Sequence, residues 1–244
     1  MKSLLKKIIK SGTVGTQNTF SREKWLESIL KKIPSGSKIL DAGAGELQYK
    51  KFCNHLKYVS QDFGQYNGVG NFEGLQMKVW DNSKLDIISD IIDIPVDDKS
   101  FDAVMCIEVF EHISEPAKAV KEFSRVLKPG GKLIITAPFC SMTHFSPYYY
   151  ANGYSKYWYE KILDEYGFVI DEIEFNGNFF EYMAQGIRYI DYVSSNYSSF
   201  NMSRNYFYKI VRQFMLRTLD KLSKKSKNSE ELLCFGLHVF ATKK

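Results

Sequence analysis

The run Lys38-Ile-Leu-Asp-Ala-Gly-Ala-Gly45 constrains the fold more than any other part of this 244-residue chain. Its apolar residues, set off by the turn Pro34-Ser-Gly-Ser37, read as a buried strand, and the two glycines read as a sharp loop at its end. A helix is expected next over residues 47–56, then a second strand, Tyr58-Val-Ser-Gln-Asp62. Strands that alternate with helices form a parallel sheet covered on both faces, with right-handed crossovers.

Periodicity supplies the remaining elements. Trp25, Leu26, Ile29, Leu30 and Ile33 recur at helical spacing over residues 20–33, with Pro34 as a stop. Residues 63–84 are rich in Gly, Asn and Asp without a clear period and are expected as a long loop, with at most a short helix. Strands are expected near 86–91, 101–107, 132–137, 168–175 and 232–241, and helices over 117–127 and 157–166. The fold class is therefore α/β: a Rossmann-like, seven-stranded, mostly parallel sheet with helices on both faces and a helical insertion before the last strand. A single domain over 1–244 is expected, with a basic segment at 1–19 and a helical cap at 176–231. In such open sheets the ligand crevice lies outside the carboxyl ends of the strands.

Three acids mark those ends: Asp41 before the glycines, Asp62 at the end of the second strand and Asp90 at the end of the third. A dinucleotide-binding loop would carry a third glycine where Gln48 stands, and Asp41 would sit badly against phosphates. Asp62 is placed to accept both hydroxyls of a ribose. Asp90 is placed to accept the exocyclic amine of a purine. Carboxylates at three strand tips with no basic clamp describe a pocket for a positively charged nucleoside without phosphate, and S-adenosylmethionine has that chemistry.

Residues 38–139 resemble the class I S-adenosylmethionine-dependent methyltransferases, in particular the type 11 branch headed by Asp-x-Gly-x-Gly. The resemblance is carried by Asp41-Ala-Gly-Ala-Gly45, Ile94-Pro-Val-Asp-Asp-Lys-Ser-Phe-Asp102, Glu108-Val-Phe-Glu-His112 and Arg125-Val-Leu-Lys-Pro-Gly-Gly131. Through His144-Phe-Ser-Pro147 and Gly153-Tyr-Ser-Lys-Tyr-Trp-Tyr159 the chain is more weakly similar to methyltransferases of bacterial surface-glycan and sugar biosynthesis. The resemblance implies S-adenosylmethionine as cofactor. It places Asp41, Gly43 and Gly45 along the methionine part, Asp62 at the ribose, Asp90 and the Ile91 backbone at the adenine, and Cys106 to Glu108 over the amino-acid end, with Phe63 as a further cofactor-binding residue.

A hydroxyl nucleophile must lose its proton, and histidine is the usual side chain for that near neutral pH. His144, after the fifth strand, is the first candidate base and His112 the second; a structural role stays open for both. Phe139, Tyr148, Tyr149 and Tyr154 are candidate substrate contacts, since aromatic rings stack on sugar faces. No His, Cys or Asp grouping has metal-ligand spacing, so no metal is expected. Cys53, Cys106, Cys140 and Cys234 lie far apart and read as reduced thiols. The implied function is methyl transfer from S-adenosylmethionine to a small molecule or glycan precursor, above all a sugar hydroxyl in surface-polysaccharide biosynthesis. The alternatives are a lipid quinone, a phosphorylated small metabolite, or a donor-binding module without catalysis.

The net charge of +5 is unevenly placed. Residues 204–227 hold eight Lys and Arg against Asp220, a net +7 that leaves −2 for the rest of the chain. Lys2, Lys6, Lys7 and Lys10 flank Leu4, Leu5, Ile8 and Ile9 in a second basic, apolar stretch. Such helices either pack on the domain with a solvated outer face, lie on an anionic membrane surface or meet an anionic substrate. No nucleic-acid-binding module accompanies the charge, so a nucleic-acid partner is not expected. With 44% hydrophobic and 25% charged residues, and no export signal read at the start, the chain is expected to be globular and cytoplasmic, with peripheral contact at the inner membrane face left open.

Overall fold

The computed structural model describes residues 12–202 and 205–244. The expectations for Lys2 to Lys10 and for Arg204 lie outside the described residues. The chain divides into two compact units, one formed by residues up to Ser21 with Phe175–Phe235, the other by Arg22–Glu174 with Gly236–Lys244.

The second unit holds the sheet. Its elements are α1 (Asn18–Leu30, which begins in the other unit), β1 (Lys38–Ala42), β2 (Lys57–Asp62), β3 (Ile87–Ile88), β4 (Phe101–Ile107), α2 (Pro116–Val126), β5 (Leu127–Pro138), α3 (Lys156–Glu165), β6 (Phe168–Asn176) and β7 (Gly236–Lys243). The strand order is β3-β2-β1-β4-β5-β7-β6. β1 pairs in parallel with β2 and β4, β2 with β3 and β4 with β5, while β7 runs antiparallel to β5. The fold is the Rossmann-like, mostly parallel seven-stranded sheet that the sequence implies. Strand order reverses between β1 and β4, so their carboxyl ends open the crevice.

Side-chain alternation along these strands sorts the core. Ile39, Ala103, Met105, Ile107, Ile134 and Phe240 face one side, where Trp25, Leu26, Ile29 and Leu30 of α1 cover them. Leu40, Val104, Cys106, Leu133 and Ile135 alternate with them and are fully buried. Phe110 ties α2 to α3, its ring centroid 6.4 Å from those of both Phe123 and Tyr159.

Two of the family-like motifs prove to be one clasp. Arg125 donates to the carbonyls of Ile94 and Val96 at 2.8 Å and pairs with Glu122 and Asp98 at 2.7 and 2.8 Å. Glu122 in turn accepts from Ile94 N. Asp102 accepts from Lys38 N and from Lys128 Nζ, fixing the start of β1 to the start of β5.

Several elements differ from expectation. Residues 47–56 form turns and one 3-10 turn, Lys50–Phe52, in place of a helix. Leu47 takes a left-handed φ of 61°, which interrupts helical backbone, and Tyr49 and Cys53 enter the α1 side of the core without it. β3 is two residues long and Asp90 lies beyond it, because the Asp90 carboxylate bonds its own Ile92 N in a local turn. β5 starts at Leu127, ahead of Pro129-Gly130-Gly131, through a register shift between the pairs Phe101–Leu127 and Ala103–Lys132. β7 starts at Gly236, four residues later than expected.

The other unit contains the expected insertion. Its helices are α4 (Phe179–Tyr197) and α5 (Tyr206–Ser223), capped by Asn178, which accepts from Phe180 N and Glu181 N, and by Asn205, which accepts from Tyr208 N. Val14, Ala184, Ile187 and Leu216 form its small core. Gly15 N donates to Glu181 at 2.6 Å, and Arg188 donates to Val14 O at 2.8 Å. Leu216 is the buried residue of α5, whereas Phe207 and Phe214 stand more than 70% exposed among lysines and arginines. Among the described residues no helix is long and apolar enough to cross a membrane.

Arg125→Ala strands two backbone carbonyls and the Glu122 carboxylate. It is expected to cost about 1.5–3 kcal/mol, the range for hydrogen bonds to a charged group, read as a lowered urea midpoint at constant m-value.

Candidate active site

The loop after β1 is shaped by the end of β2. Gly43 N and Ala44 N donate to the Gln61 carbonyl at 2.8 and 2.9 Å, and Gly45 N donates to Asp62 Oδ2 at 3.0 Å. Gly43 and Gly45 hold φ of 81° and 51°; a Cβ on Gly43 would stand 2.5 Å from Val109 Cγ2, and one on Gly45 2.6 Å from the Trp80 ring. Both positions require glycine.

The acids meet different fates. Asp41 is buried and accepts from Tyr58 OH at 2.5 Å; burial pushes its pKa up to about 7, the Tyr58 bond opposing and the Asp62 charge adding to the rise. Asp62 is also buried; desolvation raises its pKa against the pull of the Gly64, Gly45 and Phe63 amides. Asp90 is exposed and engaged in its local turn, next to the buried Ile91. Glu108, at the tip of β4 with φ of 57°, accepts from Thr136 Oγ1 at 2.8 Å and pairs with Arg22 Nη1 at 2.9 Å. Arg22 also interacts with Tyr49. Cys106 is fully buried on β4, and burial drives its pKa upward.

Sequence reasoning missed Arg22. It lies on α1, far from every motif, and only the packing of that helix against the sheet brings a guanidinium to a strand tip. It missed Trp80 as well, because residues 63–84 carry no period. That loop is held by distant partners: Leu75 N donates to Thr143 O, Phe145 N to Leu75 O, and Gln76 Nε2 to Ser146 O. Tyr66 stacks on Phe145 at 4.6 Å with Trp80 edge-on to both, which makes an aromatic canopy over the glycine loop. Phe63 meets Tyr148 edge to face at 4.8 Å.

His112 and His144 are neighbours, with ring centroids 4.6 Å apart. Burial and the nearby His144 charge push His112 down to about 4. His144 moves the other way: burial lowers its pKa, but the Glu111 bond, the Met142 carbonyl and the Glu111 and Glu108 charges together outweigh that. Tyr149 lies 5.3 Å from His144 and donates its hydroxyl to Ser141 O at 2.7 Å. The Tyr154 hydroxyl is committed to Phe110 O at 3.0 Å, and the Phe139 backbone lies under Gly153. His238, by contrast, stacks on Trp25 in the interior.

Comparison with known proteins now adds to this geometry. Residues 40–135 match the family described as a methyltransferase domain. A demethylmenaquinone methyltransferase of Clavibacter sepedonicus is 33% identical over 104 residues, covering 41% of each chain. A ubiquinone biosynthesis O-methyltransferase of Xylella fastidiosa is 30% identical over 115 residues, 46% of each. A tRNA (carboxymethyluridine(34)-5-O)-methyltransferase of Arabidopsis thaliana is 30% identical over 118 residues, 46% of this chain and 27% of that one. The chain thus spans less than half the length of these relatives. In fold it is similar to a SAM-dependent methyltransferase of Archaeoglobus fulgidus, with a TM-score of 0.53 at 15% identity over 91% of this chain and 94% of that one. It is also similar to phosphoethanolamine N-methyltransferase 2 of Haemonchus contortus in complex with S-adenosyl-L-methionine, with a TM-score of 0.51 at 17% identity over 92% and 52% of the two chains. Residues 40–135 match the methyltransferase-domain family and the chain shares the fold of solved methyltransferases, one of them in complex with S-adenosyl-L-methionine, so S-adenosylmethionine is the cofactor against which the site is compared.

The residues fit that cofactor. Two glycines let Val109 and Trp80 pack directly on the loop backbone, carboxylates at the tips of β1, β2 and β4 suit a sulfonium cation, and aromatic rings border the loop.

Asp41 gives a pH dependence with a definite sign. Its folded pKa of about 7 stands above an unfolded value near 3.8, so the unfolded chain loses this proton first and stability falls as pH rises through that window. The window of about three pH units bounds the loss at about 4 kcal/mol. Asp41→Asn is expected to flatten unfolding free energy between pH 4 and pH 7 relative to the wild type; parallel curves would show that Asp41 titrates normally.

Proposed function

We propose that the chain transfers a methyl group from S-adenosylmethionine to an oxygen of a small-molecule acceptor, a sugar hydroxyl of a glycan precursor in the first instance. The observation that carries the reading is the meeting of the glycine loop with the Asp62 carboxylate at the crevice of a methyltransferase domain. S-adenosylmethionine, when bound, supplies a methyl carbon on a sulfonium that an aligned nucleophile displaces. Asp62 accepts from the ribose hydroxyls, Asp90 and Ile91 border the adenine, and Glu108 with Arg22 borders the amino-acid end. The chain's remaining task is alignment and exclusion of water, which the Tyr66, Trp80 and Phe145 canopy serves. Tyr148 and Tyr149 line the acceptor side next to His112 and His144, where a sugar ring would stack.

A lipid quinone is the second reading. It is favoured by α5, whose exposed Phe207, Ile210 and Phe214 alternate with basic residues as in helices that lie on anionic bilayers, and by the relatives named for quinone methylation. Under either reading the protein works in the cytoplasm, at the inner membrane face under the second.

Asp62→Ala removes a charged acceptor worth about 1.5–3 kcal/mol, and calorimetry should find S-adenosylhomocysteine bound roughly 10- to 150-fold more weakly. Unchanged affinity would remove the ribose assignment. Turnover against nucleotide sugars, quinones and tRNA then ranks the acceptors, and methylation of tRNA alone would overturn the small-molecule reading.

A further inference from the structure

Glu111, His112 and His144 are brought together from two segments, the 3-10 turn after β4 (Phe110–His112) and the loop after β5. Glu111 Oε1 stands 3.8 Å from Nε2 of His112 and 3.7 Å from Nε2 of His144, and the three ligand-type atoms lie within 4.8 Å of one another. The far nitrogen of each ring is already engaged: His112 Nδ1 lies 2.5 Å from Tyr148 O, and His144 Nδ1 lies 2.8 Å from Met142 O. A carbonyl oxygen brings no proton, so each Nδ1 must carry one and donate it. In the neutral rings both Nε2 atoms are then bare lone pairs, and both turn to a carboxylate oxygen.

Glu111 adds to the conflict. Its side chain is 1% exposed, and its Oε2 has no hydrogen-bond partner. Three acceptors facing one another out of water are unfavourable unless positive charge lies among them. One proton on His144 would satisfy its own bond to Glu111 and leave the His112 lone pair facing the same oxygen. A single divalent cation satisfies all three atoms. Imidazoles that ligate a metal commonly donate their second N–H to a backbone carbonyl, which is the arrangement of both rings.

We propose that Glu111, His112 and His144 form a divalent metal site of the two-histidine, one-carboxylate kind. Two imidazoles and one carboxylate suit zinc or a similar borderline ion better than magnesium. Ligands about 2.0–2.1 Å from a tetrahedral ion stand about 3.4 Å apart, so the two pairs with Glu111 close by a few tenths of an ångström and no pair by more than about 1.4 Å. Three protein ligands leave a coordination position open. His144 is the least buried of the three, and the open position is reached past it. Resting on the reading proposed above, this position would hold an acceptor hydroxyl and make it more acidic, so that its proton leaves to solvent as the C–S bond breaks and the O–C bond forms. The two histidines are then ligands in place of bases.

The test uses the full chain, stripped with EDTA and titrated with Co²⁺. A saturable d–d absorption band at one equivalent, bleached by Zn²⁺, is expected. His144→Ala and Glu111→Gln should each weaken cobalt binding at least about tenfold with unchanged circular dichroism, and Cys140→Ser should leave it intact. Should Glu111→Gln unfold, His144→Ala decides alone, being on a loop and half-buried. Absence of the band in the wild type, equal affinity in His144→Ala, or loss in Cys140→Ser overturns the site. Binding of S-adenosylhomocysteine by the stripped protein is measured separately: if it persists while no cobalt binds, the metal fails and the donor reading stands.

Discussion

The glycine loop has no shape of its own; the end of β2 gives it one. Three successive amides, those of Gly43, Ala44 and Gly45, are taken up by the Gln61 carbonyl and the Asp62 carboxylate. Asp62 is thereby a structural acceptor and a candidate ligand acceptor at once. Its second oxygen takes Gly64 N, which starts the loop that returns over the site. The crevice, its floor and the first residue of its cover all descend from this one strand end.

Around that point the structure separates scaffold from chemistry within motifs that look alike in sequence. Ile94–Asp102 and Arg125–Gly131 hold one another and the start of β1, and contribute nothing to the crevice. Glu108–His112 does both: Phe110 packs α2 against α3, whereas Glu108 pairs with Arg22, and the buried Glu111 and the neighbouring His112 face His144. A single 3-10 turn after the strand places Phe110 and Glu111 in succession in the interior with partly buried residues on either side.

The sheet was legible because strands buried on both faces must be continuous apolar runs, as Ile39-Leu40 and Val104 to Ile107 are, and because the acids and glycines stand at their ends. Residues 47–56 misled because Leu47, Phe52 and Leu56 suggest a helical stripe, yet Tyr49 and Cys53 reach the core from turns. The canopy was not legible, since Tyr66 and Trp80 take their places from partners near residue 145, and Arg22 reaches Glu108 only through the docking of α1. His112 stands within a motif, but its meeting with a residue 32 positions later depends on the parallel course of β4 and β5.

The replacement of the first crossover helix by a 3-10 turn has an electrostatic consequence. A full helix would aim its positive end and a row of free amides at the crevice. Here the loop amides of Gly43, Ala44 and Gly45 are taken up by Gln61 and Asp62, so this stretch of backbone holds out no free donor to a phosphate. The turn is thereby less suited to a polyphosphate than the start of a helix would be.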